Sequence, residues 1–392
     1  MAIDVPGIQK ALAEEGLDGW LLYDFHGSNP IAVGFAGLGG KMVTRRWYYL
    51  VPREGEPRVL AHAIEAHTVA HLPGRRTLYA RRDSLEAGLD ALLAGMRRLA
   101  MEYSPGCAIP YLSRVDAGTL EAVRRRGVEV VSSGDLVQRF QARWDAAAYA
   151  THQRASEALY RIKDRTLAEL TRRAKDGTPT DEHAIQQLMV RWFDEEGLVS
   201  DSPPIVAAQE NAGNPHYAPS AQGSRPIGAN EVVLLDLWGK LRQPGAVYAD
   251  ITWMSFTGPA VPAEVARAFQ TIAAGRDAAV ALARQRARAG QDLRGWEVDR
   301  AARTVLEGAG YAKHVLHRTG HSLGEEVHGN GVHMDDYETH DERRVLPGTA
   351  FTVEPGLYFD TFGVRTEINV YVTDQDALVT GPAQGQIDTL VR

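Results

Sequence analysis

Five residues in the second half of the chain, Asp236, Asp250, His321, Glu354 and Glu367, are of types that bind divalent cations. Together they offer four carboxylates and one imidazole, a donor set suited to a pair of metals and to metal-assisted hydrolysis. Four carboxylates carry a charge of about −4 and two divalent cations about +4, so the cluster is neutral only when both cations are present. Without them, one or more carboxylates must take up protons, because like charges at close range cannot all ionise.

The elements that would position these residues are strands. Periodicity predicts strands over 232–238 and 246–252, joined by the turn-forming segment 239–245. Alternate residues of a strand share a face, so Asp236 lies with Leu234 and Trp238, and Asp250 with Tyr248 and Thr252; a hairpin directs both carboxylates to one side. An isolated aspartate near a strand end is ordinarily a turn former or a surface charge. An acid inside Val-Leu-Leu-Asp-Leu-Trp, by contrast, needs a counterion or a metal to stay charged. Segment 316–329 carries His317, His321 and His328 among glycines that permit close backbone approach. A lone histidine there would ordinarily be a satisfied structural residue; the carboxylates at Glu354 and Glu367 shift the reading toward ligation. Glu354 ends the apolar strand 350–353, before the turn pair Pro355-Gly356. Glu367 shares a strand face with Arg365, where a surface ion pair is the plain alternative.

The rest of the chain sets the frame. It has 392 residues, 44% hydrophobic and 24% charged, with 43 basic and 50 acidic residues and a net charge of −7, which gives no sign of a nucleic-acid partner. That length exceeds what one core usually encloses, so two domains are expected, with a boundary near residue 150. No basic-then-apolar leader opens the sequence, and no stretch approaches the roughly 18 apolar residues of a membrane span, so the expectation is a cytoplasmic protein without membrane association. The single cysteine, Cys107, excludes an intrachain disulfide and a cysteine-based zinc site, and reads as a small buried residue. Before residue 140 the pattern alternates, with helix over 8–15, strand over 19–23 and 46–51, helix over 84–101 and strand over 128–131, which favours a sheet covered by helices. A long helix follows over 145–174, with Ala148, Ala155, Leu159, Ile162, Thr166 and Leu170 as its apolar stripe. A second helix start is marked by Thr178 as cap, Pro179 in the first turn and Asp181 completing a capping-box pattern. The proline- and glycine-rich stretch 202–230 reads as a long functional or disordered loop. Helices are expected over 263–289, whose Ala/Arg-rich end 279–289 reads as exposed, and over 296–307.

The order Asp, Asp, Gly-His-x-x-Gly, Glu-Pro-Gly-x-Tyr, Arg-x-Glu resembles the pita-bread metallopeptidases, the family of methionyl aminopeptidase, aminopeptidase P and prolidase, over most of residues 150–392. The loop Asn214-Pro215-His216, the placement of His317 before His321 and an α/β N-terminal domain are similar to the aminopeptidase P and prolidase branch. The resemblance implies an α/β N-terminal creatinase-like domain over 1–150 and an α+β pita-bread C-terminal catalytic domain over 151–392. It also implies that Asp250 and Glu367 bridge two metals, that Asp236 completes one and that His321 with Glu354 completes the other, around an activated water. Glu354 would shuttle the proton. His216 and His328 match histidines that contact substrate and stabilise the tetrahedral intermediate, while His317, Arg365 and Tyr358 match positions near the proline-binding end. A mostly oxygen donor set with one imidazole suits manganese, with cobalt or zinc as alternatives. Departures are a longer separation between the two aspartates, His216 lying correspondingly further from Asp236, Trp253 where relatives commonly have arginine, and Ile368 where an acid often follows the last glutamate. They bear on substrate fit and on the surroundings of the metals, not on the donors themselves. The expected activity is hydrolysis before proline in short peptides by a homodimeric Xaa-Pro dipeptidase (prolidase). The alternatives are aminopeptidase P acting on longer peptides, a metal-free creatinase-like hydrolase, and a non-catalytic binding module.

Overall fold

The computed structural model describes residues 3–391, in two compact units that divide between Gln138 and Arg139. The division falls ahead of the long helix of the second unit, whereas the sequence pattern set the boundary near residue 150.

The first unit runs α1 (Val5–Glu14), β1 (Gly19–Asp24), α2 (Pro30–Phe35), β2 (Trp47–Pro52), β3 (Arg58–His62), β4 (Arg75–Tyr79), α3 (Arg82–Leu93), β5 (Arg98–Met101), α4 (Ala117–Arg124) and β6 (Glu129–Ser132); α5 (Gly134–Gln141) crosses the division. Its six strands form one mixed sheet in the order β4-β3-β2-β1-β5-β6, with β1 parallel to β5 and antiparallel to β2. The continuous apolar runs of β1 and β2 are buried along their whole length, as strands covered on both faces must be. The helix expected over 84–101 is shorter than its composition suggests. It ends at Leu93, Gly95 turns the chain with φ +81°, and Leu99, Ala100 and Met101 enter the sheet as β5 with no exposed surface. Cys107 is also a correction: it is exposed and left-handed (φ 56°) in the turn after Gly106, so it contributes nothing to a core.

The second unit comprises α6 (Ala146–Asp176), α7 (Glu182–Glu195), β7 (Leu198–Val199), β8 (Ile205–Ala208), β9 (Val232–Leu241), β10 (Ala249–Phe256), α8 (Ala263–Arg288), α9 (Gly295–Gly308), β11 (Ser322–Leu323), β12 (Ala350–Val353), β13 (Gly356–Tyr358), β14 (Gly363–Arg365), β15 (Ile368–Val372), β16 (Ala377–Val379) and β17 (Asp388–Thr389). Asp145 caps α6 by accepting from the Ala148 amide, and Ala155, Leu159, Ile162, Thr166 and Leu170 are buried along it. For α7 the cap is Asp181, in extended backbone and accepting from the Ala184 amide; Thr178 and Pro179 lie ahead of the helix. The stretch expected as loop contains a strand, because β8 pairs with β9 through Ile205–Ala208. The Ala/Arg-rich end of α8 is exposed on one side only, since Ala279, Val280 and Ala283 join the core.

Two sheets frame the interior: β17-β10-β9-β7 with β8 added on β9, and β11-β12-β15-β16. In the first, Val233, Leu235 and Leu237 of β9 and Ala249 and Ile251 of β10 pack with Leu159, Ile162, Ile185 and Met189 of α6 and α7. In the second, Phe351, Val353, Ile368 and Val370 pack with Ala279 of α8 and Val298 of α9. Strand alternation therefore turns Asp236, Asp250 and Thr252, and likewise Thr352 and Asn369, away from these helix-covered faces. Asn369 joins the two sheets: its amide nitrogen donates to the Asp250 carbonyl at 2.8 Å, and its amide oxygen accepts from the Asp250 N–H at 2.9 Å.

Candidate metal centre

Register fixes the first pair of carboxylates. β9 and β10 are antiparallel with Thr252 opposite Asp236 and Asp250 opposite Trp238, so the two aspartates are diagonal neighbours on one face. The second pair follows from β12 and β15, where Val353 opposes Ile368 and the adjoining Glu354 and Glu367 continue just beyond the ladder. His321 precedes β11 and is locked to β12 by two bonds, its carbonyl accepting from the Thr352 amide at 2.9 Å and its own amide donating to Thr352 Oγ1 at 3.0 Å. Gly320 allows this approach, because a Cβ there would collide with the Thr352 carbonyl.

The side chains converge. Ligand atoms of Asp250, His321 and Glu367 lie within 4.8 Å of one another, and all three residues are buried. His321 Nε2 stands 3.4 Å from Glu354 Oε1 and 3.6 Å from Asp250 Oδ2. Asp236 is tied to Arg365, whose Nη2 donates to Asp236 Oδ2 at 2.5 Å. Asp250 Oδ1 and Glu367 Oε1 are buried without a hydrogen-bond partner among the described residues. Leaving two carboxylate oxygens unpaired in the interior is costly unless something cationic meets them.

Electrostatics point the same way. Burial, reinforced by Asp236 and Glu354, holds the Asp250 carboxyl well above its ordinary range; burial, reinforced by Asp250 and Glu354, does the same for Glu367. Burial also raises Asp236 and Glu354, against the counteracting charges of Arg365 and His321. His321 is pushed down by burial, which keeps its imidazole neutral and able to donate a lone pair. Four crowded acids that resist ionisation and one neutral imidazole fit divalent cations, which would replace the protons.

Beside the acids runs a polar chain. His317 Nε2 lies 2.7 Å from the Tyr358 hydroxyl, and Arg365 Nη1 donates to the same oxygen at 3.1 Å. Burial, followed by the Arg365 charge, lowers His317 to about 4, and burial raises Tyr358 to about 12, so both are neutral at pH 7. The His328 ring lies 4.3 Å from that of His321; protein crowding on one side and the neighbouring imidazole push it below the ordinary range, although His328 has an exposed edge. His216 is exposed on the loop that follows β8, and the carbonyl of its neighbour Pro215 is 3.5 Å from Arg365 Nη1. The structure thus gathers Asp236, Asp250, His321, Glu354, Glu367, Arg365, Tyr358 and His317 in direct or shared contact, with His328 against His321 and His216 on the adjoining loop.

Three residues had no role in the sequence reading, which placed Thr252 on the Asp250 face and left Asn369 and Glu182 unnamed. Thr252 donates to Glu367 Oε2 at 2.8 Å and accepts from Arg365 Nε at 3.1 Å. Thr252 and Asn369 each lie two places after a candidate ligand, so the two-residue strand period could have found both. Glu182 had no local signal. Buried at the start of α7, it accepts from the Ala208 amide, the Asn211 side chain and the Tyr217 hydroxyl, and so pins the loop that carries His216. As for the departures, Trp253 bonds to Asp388 through Nε1 at 2.7 Å with Lys163 4.1 Å over its ring, and Ile368 is core.

The chain is similar to several known proteins. A Xaa-Pro dipeptidase from Lactobacillus delbrueckii subsp. lactis is 29% identical over 197 residues, 48% of this chain and 47% of that protein. A probable dipeptidase PepE from Mycobacterium bovis is 31% identical over 176 residues, 44% of this chain and 42% of its own length. The chain thus spans about half the length of the curated relatives it matches. The crystal structure of dipeptidase PepE from Mycobacterium ulcerans superposes with a TM-score of 0.69, covering 100% of both chains at 22% identity, and shows the shared fold, an α/β N-terminal unit with a pita-bread C-terminal unit. Residues 152–374 match metallopeptidase family M24, and since that match spans more than half of the chain, the chain belongs to this family.

Proposed function

We propose that this protein hydrolyses the peptide bond before proline in short peptides, as a Xaa-Pro dipeptidase that depends on two divalent cations. The carrying observation is the buried Asp250, His321 and Glu367 donor group with its two unpaired carboxylate oxygens. The names of the similar dipeptidases support the substrate class. In this reading Asp236, Asp250, His321, Glu354 and Glu367 would hold the cations, Asp250 and Glu367 serving both, Asp236 one, and His321 with Glu354 the other. The oxygen-rich set favours manganese, with cobalt or zinc able to substitute.

When bound, the cations supply an acidified water and polarise the scissile carbonyl. Glu354, whose carboxyl burial raises above its ordinary range, accepts the proton released on attack and passes it to the departing proline nitrogen. His328, neutral beside His321, keeps an N–H to donate to the developing oxyanion, and His216 contributes from its loop. His317, Tyr358 and Arg365 orient the proline end, and the Arg365 bond to Asp236 ties that orientation to the cation ligands.

The same reading makes the protein a cytoplasmic homodimer, the oligomer being testable by sedimentation equilibrium. The decisive assay compares Ala-Pro with Ala-Pro-Ala in added manganese and after exhaustive chelation. Cleavage of the dipeptide that is lost on chelation is expected. Turnover of the tripeptide alone would make the protein an aminopeptidase, full activity after chelation would remove the metals from the mechanism, and no turnover of any proline peptide would leave a binding protein.

A further inference from the structure

The first unit contains a cavity of about 780 Å³ that the peptidase reading does not use. Its size is that of a small-molecule site. Five arginines line it, and three of them, Arg46, Arg82 and Arg125, make no side-chain hydrogen bond or ion pair among the described residues. Of the lining acids, Glu86 pairs with Arg126 at 2.8 Å, while Asp116 accepts from the Thr119 amide and hydroxyl at 2.9 and 2.8 Å and keeps its charge, so one uncompensated carboxylate stands against three free guanidinium groups. In a chain of net charge −7, an excess of unpaired guanidinium groups around one concavity marks a place for an anion.

A second observation is independent of charge. Tyr48 is only 2% exposed and lines the cavity, yet its hydroxyl makes no hydrogen bond among the described residues. Burial raises it, so at neutral pH the hydroxyl stays protonated, a donor that opens on the cavity. Of the neighbouring tyrosines, Tyr79 donates to the Arg46 carbonyl at 2.8 Å. The walls are also aromatic. Tyr23 stacks obliquely on Tyr48 at 4.9 Å, His62 meets Tyr79 edge-on at 5.0 Å, and Phe25 stands 45% exposed at the rim.

We propose that this cavity binds a small molecule that combines a flat ring with a phosphate group, of about nucleoside-monophosphate size. The arginine forks match phosphate oxygens in pairs. The free Tyr48 hydroxyl supplies a further donor, and the aromatic walls with Phe25 hold the ring.

The test is calorimetric titration of the full-length protein, at fixed ionic strength, with adenosine 5′-monophosphate, adenosine, phenyl phosphate and inorganic phosphate. Adenosine 5′-monophosphate should bind once per chain, and about ten-fold or more tightly than adenosine or inorganic phosphate alone. The double variant Arg82→Ala with Arg125→Ala should weaken it by about ten-fold or more, and Tyr48→Phe by a few-fold, with melting temperature unchanged in the arginine variant because both side chains are exposed. Failure of both adenosine 5′-monophosphate and phenyl phosphate to bind would overturn the proposal. So would binding that the variants leave unchanged, or adenosine or inorganic phosphate binding as tightly as the nucleotide. None of these outcomes depends on peptide hydrolysis.

Discussion

At the level of single residues, the proposed mechanism gives Glu354 two roles, cation ligand and proton carrier, and Asp250 only the first. Glu354→Gln should lower turnover by about 10²–10⁴-fold while most of the metal remains, because the amide still offers an oxygen but cannot carry a proton. Asp250→Asn should lose both metal and turnover, since it removes charge from a buried donor with an unpaired carboxylate oxygen. Metal content by mass spectrometry, measured beside the rate, distinguishes them; an Asp250→Asn protein with two tightly held metals and a normal rate would refute the bridging assignment. Arg365 is a different case. Its guanidinium is buried and bonded to Asp236, Thr252 and Tyr358, so Arg365→Ala should destabilise the metal-free protein by about 3–5 kcal/mol at neutral pH in urea unfolding. The loss should shrink in acid, where Asp236 takes up a proton and no longer needs a counterion.

At the level of elements, two-residue alternation puts one face of β9 against α6 and α7 and leaves the other to Asp236, with Val232 and Leu234 beside it packed on α8. That is why Val233, Leu235 and Leu237 are core while Asp236 is not. The start of α7 offers a direct check on how such elements are specified. Asp181→Ala should cost about 1 kcal/mol, because Asp181 accepts from the Ala184 amide, whereas Thr178→Ala should stay within about 0.5 kcal/mol. Thermal or urea unfolding of the two variants measures the difference, and equal losses would contradict the observed cap. The residue pattern favoured Thr178 because Pro179 follows it. The structure begins the helix later, because the Asp181 backbone is held extended in a bridge to Pro226 and Glu182 is drawn inward to its buried partners.

At the level of the whole molecule, pH and metal are linked. The four acids have raised folded values, so their contribution to metal-free stability is complete below the ordinary carboxylate values of about 4 and is lost as pH rises toward the folded values. His317 and His321 run the opposite way: their contribution is complete above about 6.5 and is lost as pH falls toward the folded value, about 4 for His317. Once the histidines are neutral, above about 6.5, the acids of the centre act without that opposition, so the melting temperature of chelated protein should fall as pH rises toward their folded values. Cations displace the same protons, so the increase in melting temperature on adding manganese should grow with pH. Scanning fluorimetry with and without chelator tests this, and a metal-induced increase that is flat between pH 6 and about 8 would contradict it.

Much of this architecture was written locally. The strand period around Asp236 and Asp250, the apolar run that ends at Glu354 and the stripe of the long helix were legible because alternation and helical period depend only on neighbours along the chain. The sequence order of acids and histidines likewise carried the family resemblance. What only the folded chain decided were matters of long-range pairing: that 98–101 is a strand held between two others and not the end of a helix, that Arg365 meets Asp236, that Asn369 stitches Asp250 to the second sheet, and that Glu182 gathers the His216 loop. Each of these joins residues far apart in sequence, and no propensity or periodicity read within a window records which distant partner will satisfy a buried polar group.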